Sequence, residues 1–380
     1  MNKRLLLITP FFHPNVGGVE TRLNELVKTL GKFGHSVDVL TYQPLTSGNK
    51  GKIHESRPGV SIWRMPWPGG DLFHKLLKWP LLEVLYITPG LMLLSIFYMA
   101  IRGRSIDAIH TPGLNSAIIG RCLKAIFGKR WVVSTHTIYG FRPTGAFSTV
   151  SRWMLKRADH IVALSEPSRE ELVAIGLPSG IVSTEYTWVD QERFAPMDKK
   201  KCRESLNLPQ DTFICLFVGR LLPGKGAVVI TEAAAKLPQM QFIIAGLGPQ
   251  EGLISAAANS LPNIRFAGHV DQKRLPFFYN AADIFILPSL YREGLGRVVL
   301  ESLSCGIPVL MSDRAAIADL IAEAAFIVTP DAAKLSLALS EIAGHPEKLA
   351  EKRKQARPVA ERLFSEGNIH GLFRAYGWER

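Results

Sequence analysis

Short apolar runs rich in β-branched and aromatic residues alternate with helix-patterned stretches along this chain, and the alternation occurs twice. In the first half the strand-like runs are Arg4–Thr9, Ser36–Thr41, Val60–Arg64, Ile106–His110, Trp131–Thr135 and His160–Leu164, with helical patterns at Val19–Phe33 and Ser116–Phe127. In the second half they are Phe213–Val218, Gln241–Ala245, Ile264–Ala267, Ile284–Leu287, Pro308–Met311 and Phe326–Val328. Helical patterns there fit Ala227–Leu237, Gln250–Ala258, Leu275–Ala281, Gly296–Cys305 and Ala332–Ala343. Short apolar strands separated by helices call for parallel sheets covered on both faces. Two such series imply two doubly wound α/β domains, which suits 380 residues better than one core. The division falls between 1–185 and 186–363, in a boundary region, Tyr186–Asp211, that holds Pro196, Pro209 and the charge run Asp198–Lys201. That run reads as a solvated linker or turn. Aromatic residues at helical spacing in the tail, 364–380, predict that it packs back onto the first domain.

Apolar residues make up 47% of the chain and charged residues 21%, a globular composition. Cys122, Cys202, Cys215 and Cys305 show no metal-ligand or CxxC spacing and read as scattered thiols of a reducing compartment. The apolar run that opens the chain ends at Pro10; it is too short for a signal-peptide core and reads as a first buried strand. The net charge of +12 is uneven: residues 1–185 carry 22 Lys/Arg against 12 Asp/Glu, and residues 186–380 carry 23 against 21. A basic first half meets nucleic acid, an anionic membrane face, or simply water.

Residues 76–101 stand apart. No charge occurs from Val84 to Ile101, which reaches the ~18-residue threshold of a spanning helix. Yet the flanking strands belong to one sheet, and a single crossing would put them on opposite sides of a bilayer. The stretch is therefore a buried helix pair, an exposed apolar face, or a shallow insertion broken at Pro89–Gly90. Trp63, Trp67, Phe73, Trp79, Tyr86 and Tyr98, edged by Lys75, Lys78, Arg102 and Arg104, are suited to interfacial anchoring, so membrane-surface contact is the favoured reading.

The chemistry concentrates in the second half. In YREGLGRVVLESLSCGIPVL, Tyr291–Leu310, Glu293 and Glu301 bracket a glycine loop that turns into a helix. Backbone of Gly294, Leu295, Gly296, Arg297 and Val298 can approach an anion at the helix start, and an acid inside the helix can accept hydrogen bonds from a diol. Diphosphate beside diol is the shape of a nucleotide-sugar. Upstream, Arg220 and Lys225 project from a glycine-broken loop after a strand, where two cations suit a diphosphate. It is not a Walker loop, because Gly226 follows the lysine.

GRLLPGKG, the AGLGP segment and EGLGRVVLESLSCGIPV resemble family 4 glycosyltransferases, and FFHPNVGGVETRLNELVKTLGKFGHSVDVLT is similar to their first strand, glycine loop and helix. The resemblance covers nearly the whole chain. It implies the GT-B fold, two Rossmann-like domains facing a central cleft, and a retaining transfer. It implies that Arg220 and Lys225 neutralise the donor diphosphate, that Glu301 holds the ribose hydroxyls, and that Glu293 lies near the transferred sugar. Gly17 and Gly18 match the family loop that approaches the donor, with a tight turn as the plain alternative. His136, in STHTIYG, matches the family's active-site histidine. One departure stands at EYTWVDQERFAP, where Thr187 and Trp188 replace the Asn-Gly of many members.

The resulting expectation is transfer from a UDP- or GDP-linked sugar to a glycan or lipid-linked acceptor, without cofactor or metal, at the inner face of the cell membrane and without nucleic acid. A sugar-nucleotide 2-epimerase or a phosphorylase of the same fold, and a non-catalytic membrane-surface protein, are the alternatives. A dinucleotide oxidoreductase fits less well, since Gly252 follows Gly246 and Gly248 one position late for the fingerprint.

Overall fold

The computed structural model describes residues 2–15, 17–45, 50–69, 80–142 and 144–379. Two compact units share the sequence: Met1–Thr187 with Gly367–Arg380, and Trp188–Glu366.

The first unit holds β1 (Arg4–Ile8), α1 (Gly18–Lys32), β2 (Ser36–Tyr42), β3 (His54–Arg57), β4 (Val60–Met65), α2 (Pro80–Arg102), β5 (Ala108–Pro112), α3 (Leu114–Phe127), β6 (Arg130–Ser134), α4 (Ala146–Leu155), β7 (His160–Ala163), α5 (Glu166–Ala174) and β8 (Val182–Thr184). Its sheet runs β3-β4-β2-β1-β5-β6-β7-β8, and every pairing but β3–β4 is parallel. Leu5, Leu6, Leu7 and Ile8 of the central strand are all fully buried, which is why it reads as a continuous apolar run with no alternation.

The second unit holds α6 (Lys199–Ser205), β9 (Ile214–Val218), α7 (Ala227–Ala234), β10 (Gln241–Ala245), α8 (Glu251–Ser260), β11 (Ile264–Gly268), α9 (Leu275–Ala281), β12 (Ile284–Leu287), α10 (Arg297–Ser304), β13 (Val309–Ser312), β14 (Ala325–Val328), α11 (Ala332–Gly344) and α12 (Pro346–Leu363). The sheet order is β11-β10-β9-β12-β13-β14, all parallel. In each unit the winding direction reverses once, between β1 and β5 and between β9 and β12. Ligands of open α/β sheets bind outside the strand ends at that reversal.

A last helix, α13 (Ile369–Tyr376), belongs to the first unit. The Tyr376 hydroxyl lies 2.7 Å from His110 Nδ1, and Arg130 donates to the Ala375 carbonyl at 2.7 Å.

Two expectations need correction. The charge run at Asp198–Lys201 is solvated at Asp198, Lys200 and Lys201, but it opens a helix and is not a linker or turn. Asp198 caps α6 by accepting from the Lys201 amide at 3.0 Å. Two cations of α6 then converge on Asp283: Arg203 lies 2.8 Å away, Lys199 also pairs with it, and the same carboxylate accepts from the Ile214 amide.

Nor does α2 break at Pro89–Gly90. It is one helix of 23 residues. The Tyr42 hydroxyl inserts into the helical ladder, donating to the Ile87 carbonyl at 2.6 Å and accepting from the Leu91 amide at 2.9 Å. That bridges the i→i−4 bond beside the proline. A Cβ at Gly90 would overlap both this hydroxyl and the Trp67 ring, so the close approach requires glycine. Ile87, Leu91, Ser95 and Met99 face the core, whereas Leu82, Leu85, Leu93, Phe97 and Ile101 are 47–68% exposed. Although α2 is long and apolar enough to cross a membrane, it connects β4 and β5 of one sheet. Of the expected anchors, Phe73, Lys75, Lys78 and Trp79 lie outside the described residues.

Candidate functional site

The chemistry-bearing loops of the second unit leave the sheet on either side of its reversal. After β9 the chain turns at Gly219 and runs through Arg220 to Gly226, and after β12 it runs from Pro288 to Gly296. The loops are tied by the Leu290 amide, which donates to the Gly224 carbonyl at 2.8 Å. Gly226 has φ +80, and a Cβ there would overlap the Pro288 carbonyl oxygen. Gly246 of the AGLGP segment has φ 142 and packs as closely on the Gly219 carbonyl. Both positions need glycine to stack three strand-end loops on one another.

This packing brings Lys225 to Glu293. The ammonium lies 2.7 Å from both carboxylate oxygens, and the Ser289 hydroxyl donates to Oε2 at 3.0 Å. The two side chains are 17% and 12% exposed, so the charges are mostly withdrawn from water. The Lys225 ammonium also stands 5.2 Å from the centroid of the Tyr291 ring. The backbone of Glu293 is held as firmly, its carbonyl accepting from the Ala316 amide at 2.8 Å. Arg220 is exposed, its carbonyl accepts from the Leu222 amide at 2.9 Å, and its guanidinium has no hydrogen-bond or ion-pair partner among the described residues.

Helix α10 opens at Gly296, in the left-handed region at φ +62, and no side chain caps it. Leu295 is buried beneath the turn, and Gly294, Arg297 and Val298 are half-buried around it. An uncapped helix start carries N–H groups and partial positive charge suited to an anion. One turn on, Glu301 is buried. It accepts from the Tyr279 hydroxyl at 2.9 Å and from Arg297 Nε at 3.0 Å. Burial, with the Glu301 charge beside it, pushes the Tyr279 hydroxyl well above its ordinary pKa, so it stays a donor. The side chain of Arg297, which the motif leaves without a role, thus orients Glu301.

In the first unit, His136 follows β6. Arg22 of α1 points Nη1 at His136 Nδ1, 3.3 Å away. A guanidinium only donates, so Nδ1 accepts and the neutral ring carries its proton on Nε2. Nε2 is buried with no hydrogen-bond partner among the described residues. Burial above all, then Arg22 and His110, holds the His136 pKa well below the usual histidine range. His110 is fully enclosed between Ser134 Oγ at 2.9 Å and the Tyr376 hydroxyl; burial pushes it down to about 3.

Gly17 caps α1 in an extended conformation, with φ −179, that any residue adopts, and a Cβ on Gly18 would meet nothing within 4 Å. The backbone turn therefore does not itself demand glycine at either position. The space a Cβ on Gly17 would take is filled by the Glu20 carboxylate. Among the described residues, no three His, Cys, Asp or Glu side chains group as metal ligands.

A family model described as "Glycosyl transferases group 1" matches residues 198–359, and one described as "Glycosyl transferase 4-like domain" matches residues 17–183. The chain belongs to the family 4 glycosyltransferases. This glycosyltransferase is 28% identical to the D-inositol 3-phosphate glycosyltransferase 2 of Catenulispora acidiphila, over 89% of its own length and 84% of the relative's. It is 25% identical to one component of the human phosphatidylinositol N-acetylglucosaminyltransferase, over 87% of its length and 66% of the human protein's. The structure of Anabaena HepE in complex with UDP-glucose matches at a TM-score of 0.76 with 18% identity, covering 98% of each chain. Its two parallel-sheet units are those of the GT-B fold.

Sequence reasoning missed Arg22, Tyr279 and Ser289. Arg22 and Tyr279 act through partners on different elements, which no local spacing marks, and Ser289 reaches Glu293 from within the same loop.

Proposed function

We propose that this glycosyltransferase moves a sugar, with retention of configuration, from a nucleotide-diphosphate sugar to an acceptor hydroxyl in envelope polysaccharide, lipopolysaccharide or glycolipid synthesis. The observation that carries the reading is the pairing of two loops at the strand-order reversal of the second unit. There Lys225 and Glu293 share a half-dry ion pair beside a buried, oriented Glu301 and the bare start of α10.

In this reading Arg220, Lys225 and the helix start take the diphosphate. They stabilise the negative charge that grows on the leaving nucleotide as its bond to the sugar breaks. Lys225 is held by Glu293 until a phosphate competes for it. Glu293 is then released to accept from sugar hydroxyls while Ser289 keeps it in place. Glu301, fixed by Tyr279 and Arg297, takes the ribose diol. Gly17, Gly18 and the Nε2–H of His136 are assigned to the transferred sugar on the family resemblance. A leaving-phosphate oxygen accepts the proton of the attacking hydroxyl, since the reading assigns no carboxylate as a covalent nucleophile. No metal or cofactor takes part, because the cations above supply the positive charge.

UDP-linked donors come first, because HepE is solved with UDP-glucose. An inositol- or lipid-linked acceptor follows from the relatives' names, which specify inositol phosphate and phosphatidylinositol. The exposed apolar face of α2, in a unit whose sequence is basic, supports peripheral contact with an anionic membrane at the cytoplasmic face.

The test is a panel of UDP- and GDP-sugars scored for protection against thermal unfolding, then for sugar transfer with and without chelator. A protecting donor whose sugar reaches an acceptor, undiminished by chelator, is the expected result. Conversion of a UDP-sugar to its epimer with no acceptor present would replace transfer by 2-epimerisation.

A further inference from the structure

The end of α2 closes a cavity at the opposite edge of the first sheet from the strand ends that precede Gly17 and His136. Its volume is about 290 Å³, and Arg4, Arg57, Arg102, His54, Trp63 and Tyr98 line it. Arg4 and Ser36 stand at the first positions of β1 and β2, and Arg57 and Val60 flank the β3–β4 turn. The walls mix charge with ring faces: His54 stacks on Trp63 at 4.1 Å, and Trp63 meets Tyr98 edge-on at 6.5 Å.

The charge balance is positive. Buried Asp38 also lines the cavity and offsets Arg4, 3.3 Å away. Glu55 pairs with Arg57 but is shared with the buried Arg64 at 3.0 Å. Arg102 has no ion-pair partner among the described residues. Ser36, Ser56, Ser61 and Tyr98 also line the cavity, with Ser61 Oγ 3.1 Å from His54 Nε2. Guanidinium plus hydroxyl is the donor set that holds a phosphate ester with an alcohol attached.

The helix that lines the cavity decides where that phosphate comes from. Phe97 and Ile101 of α2 immediately precede the lining residues Tyr98 and Arg102, and both are about two-thirds exposed (67% and 64%). With Leu82, Leu85 and Leu93 they form a stripe that spans roughly 29 Å from Leu82 to Ile101 at ~1.5 Å per residue. A soluble anion has no use for such a stripe. A lipid does, since its acyl side lies against apolar residues while its headgroup enters the basic cavity.

We propose that this cavity is a headgroup site for an anionic phospholipid, seated by the exposed apolar face of α2 on the membrane surface. The proposal rests on the peripheral membrane contact read above and names the residues that recognise the lipid. Arg102 and Arg57 take the phosphate, Trp63 lies at the boundary, and Phe97 and Ile101 enter the acyl region.

The experiment is sedimentation of the full chain with vesicles of phosphatidylcholine alone and of phosphatidylcholine with phosphatidylglycerol. Wild type should bind the mixed vesicles more tightly. Arg57→Ser with Arg102→Ser should weaken that binding roughly thirtyfold, at ~1 kcal/mol for each basic residue at an anionic surface. Leu93→Asp with Phe97→Asp should abolish binding to both vesicle types. Donor protection and melting temperature, measured on the same samples, should stay at wild-type values. Wild type that ignores both vesicle types overturns the membrane reading and the lipid assignment with it. Wild type that binds the mixed vesicles while the arginine pair variant binds equally well overturns the headgroup site alone. Protection by soluble glycerol phosphate without any vesicle binding overturns the lipid source. None of these results depends on which donor is used, and a failed donor screen leaves them standing.

Discussion

The Lys225–Glu293 pair allows the structural and chemical roles of one lysine to be separated. In Lys225→Met the apolar stem stays and the ammonium goes, leaving a carboxylate 12% exposed with Ser289 as the donor at 3.0 Å. Breaking a buried ion pair from one side costs ~3–5 kcal/mol. The residual exposure of both partners and the remaining hydroxyl reduce that here to about 2–3 kcal/mol. At ~2–4 °C per kcal/mol the second unit's melting transition should fall by roughly 5–10 °C. Adding Glu293→Gln removes the stranded charge, and the amide still accepts from Ser289, so most of the stability should return. Transfer should not return, because losing one preorganised cation from a developing oxyanion costs ~10²–10³-fold. Calorimetry on both variants and turnover with the donor found by screening read the two effects separately. If the double variant stays as unstable as the single one, the pair is not the energetic unit described here. If it recovers turnover along with stability, Lys225 has no part in the diphosphate chemistry.

Part of the pH dependence of the first unit follows from His110. Its folded pKa, about 3, lies below the ordinary value of 6.5. The unfolded chain therefore binds a proton that the folded one refuses, and stability should fall as pH drops from 6.5 towards 3. His110→Gln should flatten that slope in acid melts. Arg22→Met should let His136 titrate nearer the usual histidine range, visible by NMR; an unchanged titration would mean burial alone sets it. Gly226→Ala forces a Cβ into the Pro288 carbonyl at positive φ and should cost ~2–3 kcal/mol or more, read as a lowered urea midpoint. Tyr279→Phe leaves Arg297 as the other side-chain partner described for Glu301, so donor affinity should drop by about tenfold, the worth of a hydrogen bond to a charged group, while the fold persists.

What the sequence made legible follows burial. β1 and β9 are enclosed on both faces and stand out as apolar runs, so the winding of both sheets could be read. β3 could not. Its residues, HESR, carry no strand signal, and the strand exists because β4 offers an antiparallel edge. α6 was masked for a different reason. Lys199 and Arg203 look solvated until Asp283, 84 residues beyond Lys199, gathers them. The continuity of α2 turns on a hydroxyl 45 residues before Ile87, which no pattern around Pro89 announces. In the site the Glu293–Glu301 block was visible because its parts are contiguous. Tyr279 was not, since it approaches Glu301 from α9.

The return of α13 to the first unit bears on how the protein is made. Residues up to Thr187 leave the ribosome first, yet His110 waits for Tyr376 and the His35 ring waits for Phe373, 5.0 Å away in the finished chain. The half synthesised earliest is thus completed last, and a nascent chain must carry it unfinished while the whole second unit is translated.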